Sequence, residues 1–241
     1  MDNQLIKNTT TMKSLFSNDN NDYNSNDYNA NNVRNKINDR KPFAEGNGGY
    51  LYMEKGNKVR KIFKSKFAFE GESNVYEKTE GHPNVVKIYK ILKRNMHIIM
   101  EYVPHNLENL ITGKEPDFDK FDKNKIVNEL INGLILLHSR KIYHNDYKAK
   151  NIQITRDSGV RIIDFDLSDF DIVNPIKKVN EINKLKYIIL QIIFREKYYP
   201  DFYNNRKKFL QKIDDKKFRE VMKFSRDNLI ELQKYMINVD F

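Results

Sequence analysis

The chain has 241 residues, no cysteine, and 43 Lys+Arg against 33 Asp+Glu, a formal charge of +10. That length carries one domain, or two small lobes sharing a cleft, around a core that needs no covalent staples. The missing cysteines exclude a disulfide framework, a thiolate zinc site and a cysteine nucleophile, and they suit a reducing compartment.

No apolar run reaches the roughly 20 residues of a membrane helix, and "MDNQLIKNTTTMKSLFSNDNND" lacks the apolar segment of a secretory signal. A soluble, cytoplasmic protein without a membrane span is expected, the interior of a host cell and the nucleus being compatible settings. The basic balance favours phosphate, nucleic acid, anionic lipid or an acidic protein as a contact, without choosing among them. Abundant Lys, Asn and Ile also read as AT-rich coding, so part of this charge is mutational.

Residues 1–40, with "SNDNNDYNSNDYNANN", are poor in aliphatic residues and aperiodic, and are expected to form a disordered tail because they cannot bury enough surface to offset chain entropy. Order is expected from Lys41. "YLYME", the turn "KGN" and "KVRKIFK" predict two tightly joined strands, residues 66–80 a short helix ended by "GHP", and "NVVKIYKIL" and "MHIIMEYV" two further strands. From Asp122 the apolar residues Ile126, Val127, Leu130, Ile131, Leu134 and Leu137 recur at helical steps and predict one buried face. "IQI" and "VRIIDF" then form a hairpin across Asp157, Ser158 and Gly159, and the remainder after Ser168 is helical, most apolar at "INKLKYIILQIIF".

Between the long helix and that last segment lies "IYHNDYKAKNIQI", followed by "IIDFDLS". Phosphate transfer needs hard oxygens for a metal, a cation for the non-transferring phosphates and a carboxylate aimed at the incoming hydroxyl. Asp146, Asn151 and Asp164 supply such oxygens, and a carboxylate at the end of an apolar strand is costly unless a cation meets it.

"HNDYKAKN" resembles the protein-kinase catalytic loop and "DFD" resembles that family's metal-binding triplet, at a similar separation. The resemblance implies an α+β, two-lobed protein-kinase-like fold. Its antiparallel-sheet N-lobe, with one main helix, would occupy residues 41–103, and a reduced, mostly helical C-lobe residues 104–241. It implies ATP and Mg²⁺ as cofactors: Asp146 would orient the substrate hydroxyl, Lys148 would steady the transferring phosphate as in the serine/threonine-type loop, and Asn151 with Asp164 would hold the metal.

"EGNGGYLYM" resembles the glycine-rich phosphate loop, with Gly46 and Gly48 as its first two glycines and Gly49 as the third after a one-residue contraction; Leu51 stands where the third would otherwise fall. In "VRKIFK" the phosphate-contacting lysine would be Lys61, with Lys64 the rival, and Glu72 its ion-pair partner in preference to Glu70 and Glu77. "IIMEYV" resembles the last strand and hinge, with Met100 at the gatekeeper position and the backbone of Glu101, Tyr102 and Val103 meeting adenine. His144, Phe165 and Tyr76 would form an internal stack.

The chain also departs from the pattern. Asn145 replaces the arginine that anchors a phosphorylated activation loop in many kinases, Asp166 replaces a glycine, and no A-P-E follows; Glu181 is the best match for the acidic residue opening the central C-lobe helix. The activation segment and peptide-docking shelf are therefore expected to be missing or rebuilt. This resembles the minimal kinases of some viruses and bacterial effectors and leaves room for an activating protein partner. A serine/threonine protein kinase acting on protein substrates is the leading expectation. A choline- or aminoglycoside-type small-molecule kinase, a nucleotide-binding pseudokinase scaffold and a basic nucleic-acid-binding protein are the alternatives.

Overall fold

In the computed structural model the described residues are 41–115, 117–170 and 174–194, together with 221, 231, 232 and 234. The expected tail over 1–40, and the helical reading of most of the chain beyond 194, lie outside them.

An antiparallel sheet builds the N-terminal half: β1 (Ala44–Glu45), β2 (Gly49–Glu54), β3 (Lys58–Phe63), β4 (Ile88–Leu92) and β5 (His97–Glu101), in the spatial order β1-β2-β3-β5-β4. The turn between β2 and β3 closes with Asn57 at a φ of 54°, a left-handed conformation that asparagine tolerates better than most residues. Register sets Leu51 opposite Lys61, Met53 opposite Val59, and Val59 opposite Met100, so these side chains share one face of the sheet. Helix α1 (Lys66–Lys78) lies in the β3–β4 connection and buries Phe69, Glu72, Val75 and Tyr76.

The apolar run 84–92 is not one strand, as the sequence suggested. Only Ile88–Leu92 pairs with β5; Val85 bridges in parallel to Ile162, and the Val86 amide donates to the Ile162 carbonyl at 3.2 Å. Those valines clasp the two halves together. Arg161 adds a second clasp, donating from Nε to Glu101 at 2.8 Å.

The C-terminal half opens with β6 (His105–Asn106) and the short helix α2 (Leu107–Ile111), which Asn106 caps by accepting from the amides of Glu108 and Asn109. Next come α3 (Lys123–Ser139), β7 (Ile142–Tyr143), β8 (Ile152–Ile154) and β9 (Val160–Ile162). All six apolar residues predicted for the inner face of α3 are fully buried, each stabilising the fold by roughly 1.5–3 kcal/mol before entropy is counted. Gly133 lets α3 approach β9: a Cβ there would lie 2.6 Å from the Ile162 side chain.

After Ser168 the chain is not immediately helical. A two-residue strand, β10 (Asp169–Phe170), pairs antiparallel with β7, and α4 (Pro175–Phe194) follows, capped by the Asn174 side chain. Helix α4 packs on α3, and its Ile182, Leu185 and Ile189 are buried. Among the described residues no helix is long and apolar enough to cross a membrane.

Candidate active site

The loop 144–151 is held from below. Tyr147 is buried and its hydroxyl donates to the Leu130 carbonyl of α3 at 3.1 Å, with burial pushing that phenol well above its ordinary range. The Asn145 amide donates to Glu181 Oε1 at 2.7 Å, Lys184 Nζ donates to the Asn145 carbonyl at 2.5 Å, and Glu181 Oε2 meets His138 Nε2 at 2.8 Å. Asn145 itself sits at a φ of 61°.

With Tyr147 turned inward, its neighbours Asp146 and Lys148 come together instead, Lys148 Nζ lying 2.7 Å from Asp146 Oδ2. Asn151 Nδ2 donates both to the carbonyl and to the carboxylate of Asp146, each at 3.0 Å. That commits the amide nitrogen and leaves Oδ1 as the accepting end.

The second group is built across the halves. Lys61 Nζ, on β3, donates to Glu72 Oε2 of α1 at 2.6 Å and to Asp164 Oδ1 at 2.7 Å. Asp164 is reached directly after β9, at a φ of 68° that turns its carboxylate away from the strand direction. Burial alone would lower the Lys61 ammonium, but Glu72 and Asp164 outweigh it and hold the lysine protonated well above its ordinary value. Burial acts against the Asp164 carboxylate too, yet Lys61 keeps it below the usual range. Glu72 is almost wholly enclosed; burial pushes its carboxyl up while Lys61 draws it back, and Tyr76 donates to its other oxygen at 2.8 Å.

Tyr76, Phe165 and His144 pack together, Phe165 lying between the other two with ring centroids 5.5 Å from Tyr76, edge-on, and 4.7 Å from His144. His144 Nε2 faces the Ile163 carbonyl at 3.0 Å. The ring therefore joins the loop 144–151 to the segment just after β9 that delivers Asp164.

Over this floor the turn 46–48 closes with the Gly46 amide donating to the Gly49 carbonyl. The three glycines differ. A Cβ on Gly46 would meet nothing within 4 Å, one on Gly49 would lie 2.1 Å from the Ile62 carbonyl oxygen, and one on Gly48 would lie 3.0 Å from Asp166 Oδ2 and 3.6 Å from Lys61 Nζ. Gly49 is thus needed by the β2–β3 pairing, and Gly48 hangs over the charged residues.

The rival lysine is elsewhere: Lys64 Nζ pairs with Glu45 and the Gly46 carbonyl at the surface. Glu70 and Glu77 pair with Lys66 and Lys93. Met100 is buried at the end of β5; beyond it the Glu101 amide donates to the Lys87 carbonyl and the Tyr102 amide to the Asn57 carbonyl. The Glu101 side chain serves the clasp with Arg161 and accepts from the Lys87 amide at 2.8 Å. Sequence reasoning assigned no contact to that side chain or to His138, and it read Asp166 as an extra carboxylate near the metal or at the surface, not as a neighbour of Gly48; none of these contacts carries a local signal, because each partner lies far along the chain.

Among the described residues no group of three or more His, Asp or Glu side chains stands ready to hold a metal. The donor set nevertheless suits magnesium, a hard cation that takes one or two protein oxygens and keeps water and phosphate for the rest: Asn151 offers Oδ1, and Asp164 an ionised carboxylate.

A five-stranded antiparallel sheet with one main helix, clasped to a helical half, and a lysine–glutamate–aspartate bridge across the cleft define a protein-kinase-like fold. The protein kinase domain profile matches residues 45–200, and the chain belongs to that family. Similar curated proteins include cell division control protein 2 homolog 3 of Trypanosoma brucei brucei, 31% identical over 120 residues that make up 49% of this chain and 39% of that protein. CTD kinase subunit alpha of Saccharomyces cerevisiae is 28% identical over 139 residues, 52% of this chain and 26% of that protein. Cyclin-dependent kinase 9 of Bos taurus is 26% identical over 146 residues, 52% of this chain and 39% of that protein. The matched region thus spans well under half the length of each.

Proposed function

We propose that the chain is an ATP-dependent protein kinase that phosphorylates serine or threonine hydroxyls. The observation that carries this reading is Lys61 Nζ, bound at once to Glu72 and Asp164, together with a loop in which the Asp146 carboxylate meets both Lys148 and Asn151. One ammonium, two metal-competent oxygens and one carboxylate free of the metal set are the parts phosphoryl transfer requires.

Lys61, oriented by Glu72, contacts the non-transferring phosphates. The base lies against the face carrying Leu51, Val59 and Met100 and meets the backbone of residues 101–103. Asn151 and Asp164 would hold Mg²⁺, which would supply charge neutralisation for the phosphates. Asp146 orients the acceptor hydroxyl and takes up its proton, while Lys148 meets charge on the transferring group. Glu181 and Lys184 keep the loop in place through Asn145 and are positioning residues.

Phosphorylation after Asp164 is not the switch in this reading, since Asn145 donates to the Leu167 carbonyl at 2.8 Å, where an arginine would seek a phosphate. An activating protein partner fits the curtailed segment and the kinship with a cyclin-dependent kinase and a kinase subunit. The charge favours acidic proteins, or nucleic acid, as further contacts, and a cytoplasmic setting completes the proposal.

The test is transfer of label from γ-labelled ATP, with Mg²⁺, to casein, myelin basic protein or choline, beside an Asp146→Asn variant. Label on protein serine or threonine that falls by about 10²–10⁴-fold in the variant supports the reading. Label on choline makes the chain a small-molecule kinase, and nucleotide binding without transfer makes it a scaffold.

A further inference from the structure

Asp166 stands where the kinase family has glycine, and its position is specific. Its Oδ2 lies 3.0 Å from where a Gly48 Cβ would be, and Lys61 Nζ lies 3.6 Å from the same point. On the other side its backbone carbonyl faces α1, 3.9 Å from where a Gly71 Cβ would be. The carboxylate thus lies against the glycine turn on the side where the lysine approaches it, within electrostatic reach of Asp164, Lys61 and Asp146.

These are the two elements, a glycine-turn backbone and an ammonium, that the proposed reading gives to the nucleotide phosphates. A polyphosphate entering here meets a third carboxylate besides those of Asp146 and Asp164, while Lys61 is already shared by Glu72 and Asp164. An unneutralised phosphate chain is therefore repelled at short range in a partly enclosed site, where charge interactions are strong. The same chain carrying a divalent cation is not, because the cation offsets the added charge and gives the carboxylate a favourable neighbour.

We propose that Asp166 makes the cleft selective for the divalent-metal complex of the nucleotide over the free nucleotide. This rests on the nucleotide-binding reading above and goes beyond it, since it assigns to one residue of this chain the choice between two forms of the ligand. Gly48 is the complement of that choice: a Cβ there would lie 3.0 Å from Asp166 Oδ2, so the carboxylate would have to give way by a few tenths of an ångström.

The test is titration calorimetry with ADP, once in excess MgCl₂ and once in EDTA, on the 241-residue chain and on its Asp166→Asn and Asp166→Gly variants. Wild type is expected to bind ADP far better with Mg²⁺. Both neutral variants are expected to gain about tenfold in affinity for ADP in EDTA, a partial relief because the site is open to solvent on one side. Their affinity in Mg²⁺ should move by less than about threefold, so the ratio of the two affinities collapses. Melting curves establish that each variant is folded, and either one alone suffices.

If the variants bind ADP in EDTA no better than wild type, the selectivity proposal is overturned while the nucleotide site stands. A loss confined to the Mg²⁺ titration also overturns it, since that result makes Asp166 a metal ligand and nothing more. Wild type binding ADP under neither condition overturns the nucleotide reading and this inference with it.

Discussion

Replacing Lys61 by methionine removes the one cation from a buried arrangement and leaves two carboxylates behind. They are unequal: the Glu72 side chain is 1% exposed, whereas that of Asp164 is 39% exposed and can be hydrated. Breaking a buried pair by deleting one partner costs about 3–5 kcal/mol because a charge is left uncompensated. Glu72 keeps the Tyr76 hydroxyl at 2.8 Å, and burial already favours its protonation, so the lower end, about 3 kcal/mol, is expected at pH 7. Glu72→Leu alone should cost about 1–2 kcal/mol, since Lys61 retains Asp164. The double variant puts apolar atoms where the buried pair was and should cost only about 1 kcal/mol. Equilibrium urea unfolding of the four proteins, read at a common slope, gives the cycle. A coupling of at least about 2 kcal/mol is expected. Losses that add to within about 0.5 kcal/mol would refute the argument, because they would mean that the two side chains do not compensate one another.

The glycine turn offers a contrast: Gly49→Ala must part β2 from β3, since its Cβ would lie 2.1 Å from the Ile62 oxygen, and should cost about 1–3 kcal/mol in thermal melts, while Gly46→Ala should leave Tm unchanged. Glu181→Ala deprives the Asn145 amide and His138 of their acceptor. Turnover should fall at least tenfold while nucleotide affinity holds within about twofold, and Glu181→Gln, which keeps an acceptor oxygen, should recover part of the loss; equal loss of affinity would contradict a purely positioning role. Asp157 accepts from the Thr155 hydroxyl and from Lys125, which together lower its carboxyl from 3.8 to about 2. A depressed folded value adds stability above about pH 4 that disappears as pH falls towards 2, so Asp157→Asn should flatten that part of the Tm–pH curve; parallel curves would contradict it.

What was legible in the sequence was local. The turn at 55–57, the six-residue face of α3 and the hairpin across 157–159 each depend on neighbours a few positions away, and they stand where periodicity and turn chemistry put them. The candidate site was legible as spacing, because Asp146, Lys148 and Asn151 lie on one loop and Asp164 one hairpin later. The misreadings are tertiary. Val85 and Val86 look like strand residues, yet their partner is Ile162 rather than the sheet. Strand β10 is too short to show a period and exists because β7 is there to pair with it. Asp166 was visible as an extra carboxylate, but no pattern in the chain reveals that Gly48 lies above it.

The short path from Asp164 to α4 has a consequence for how such a protein is governed. Between Asp164 and Pro175 the chain offers one hydroxyl, that of Ser168, and it points back towards the carbonyl of His144 at 3.4 Å. A modifying enzyme would have to prise it out, and the added charge would land among Asp164, Asp166 and Asp169. Under the function proposed above, control then falls on what the protein meets rather than on a phosphate added to this segment.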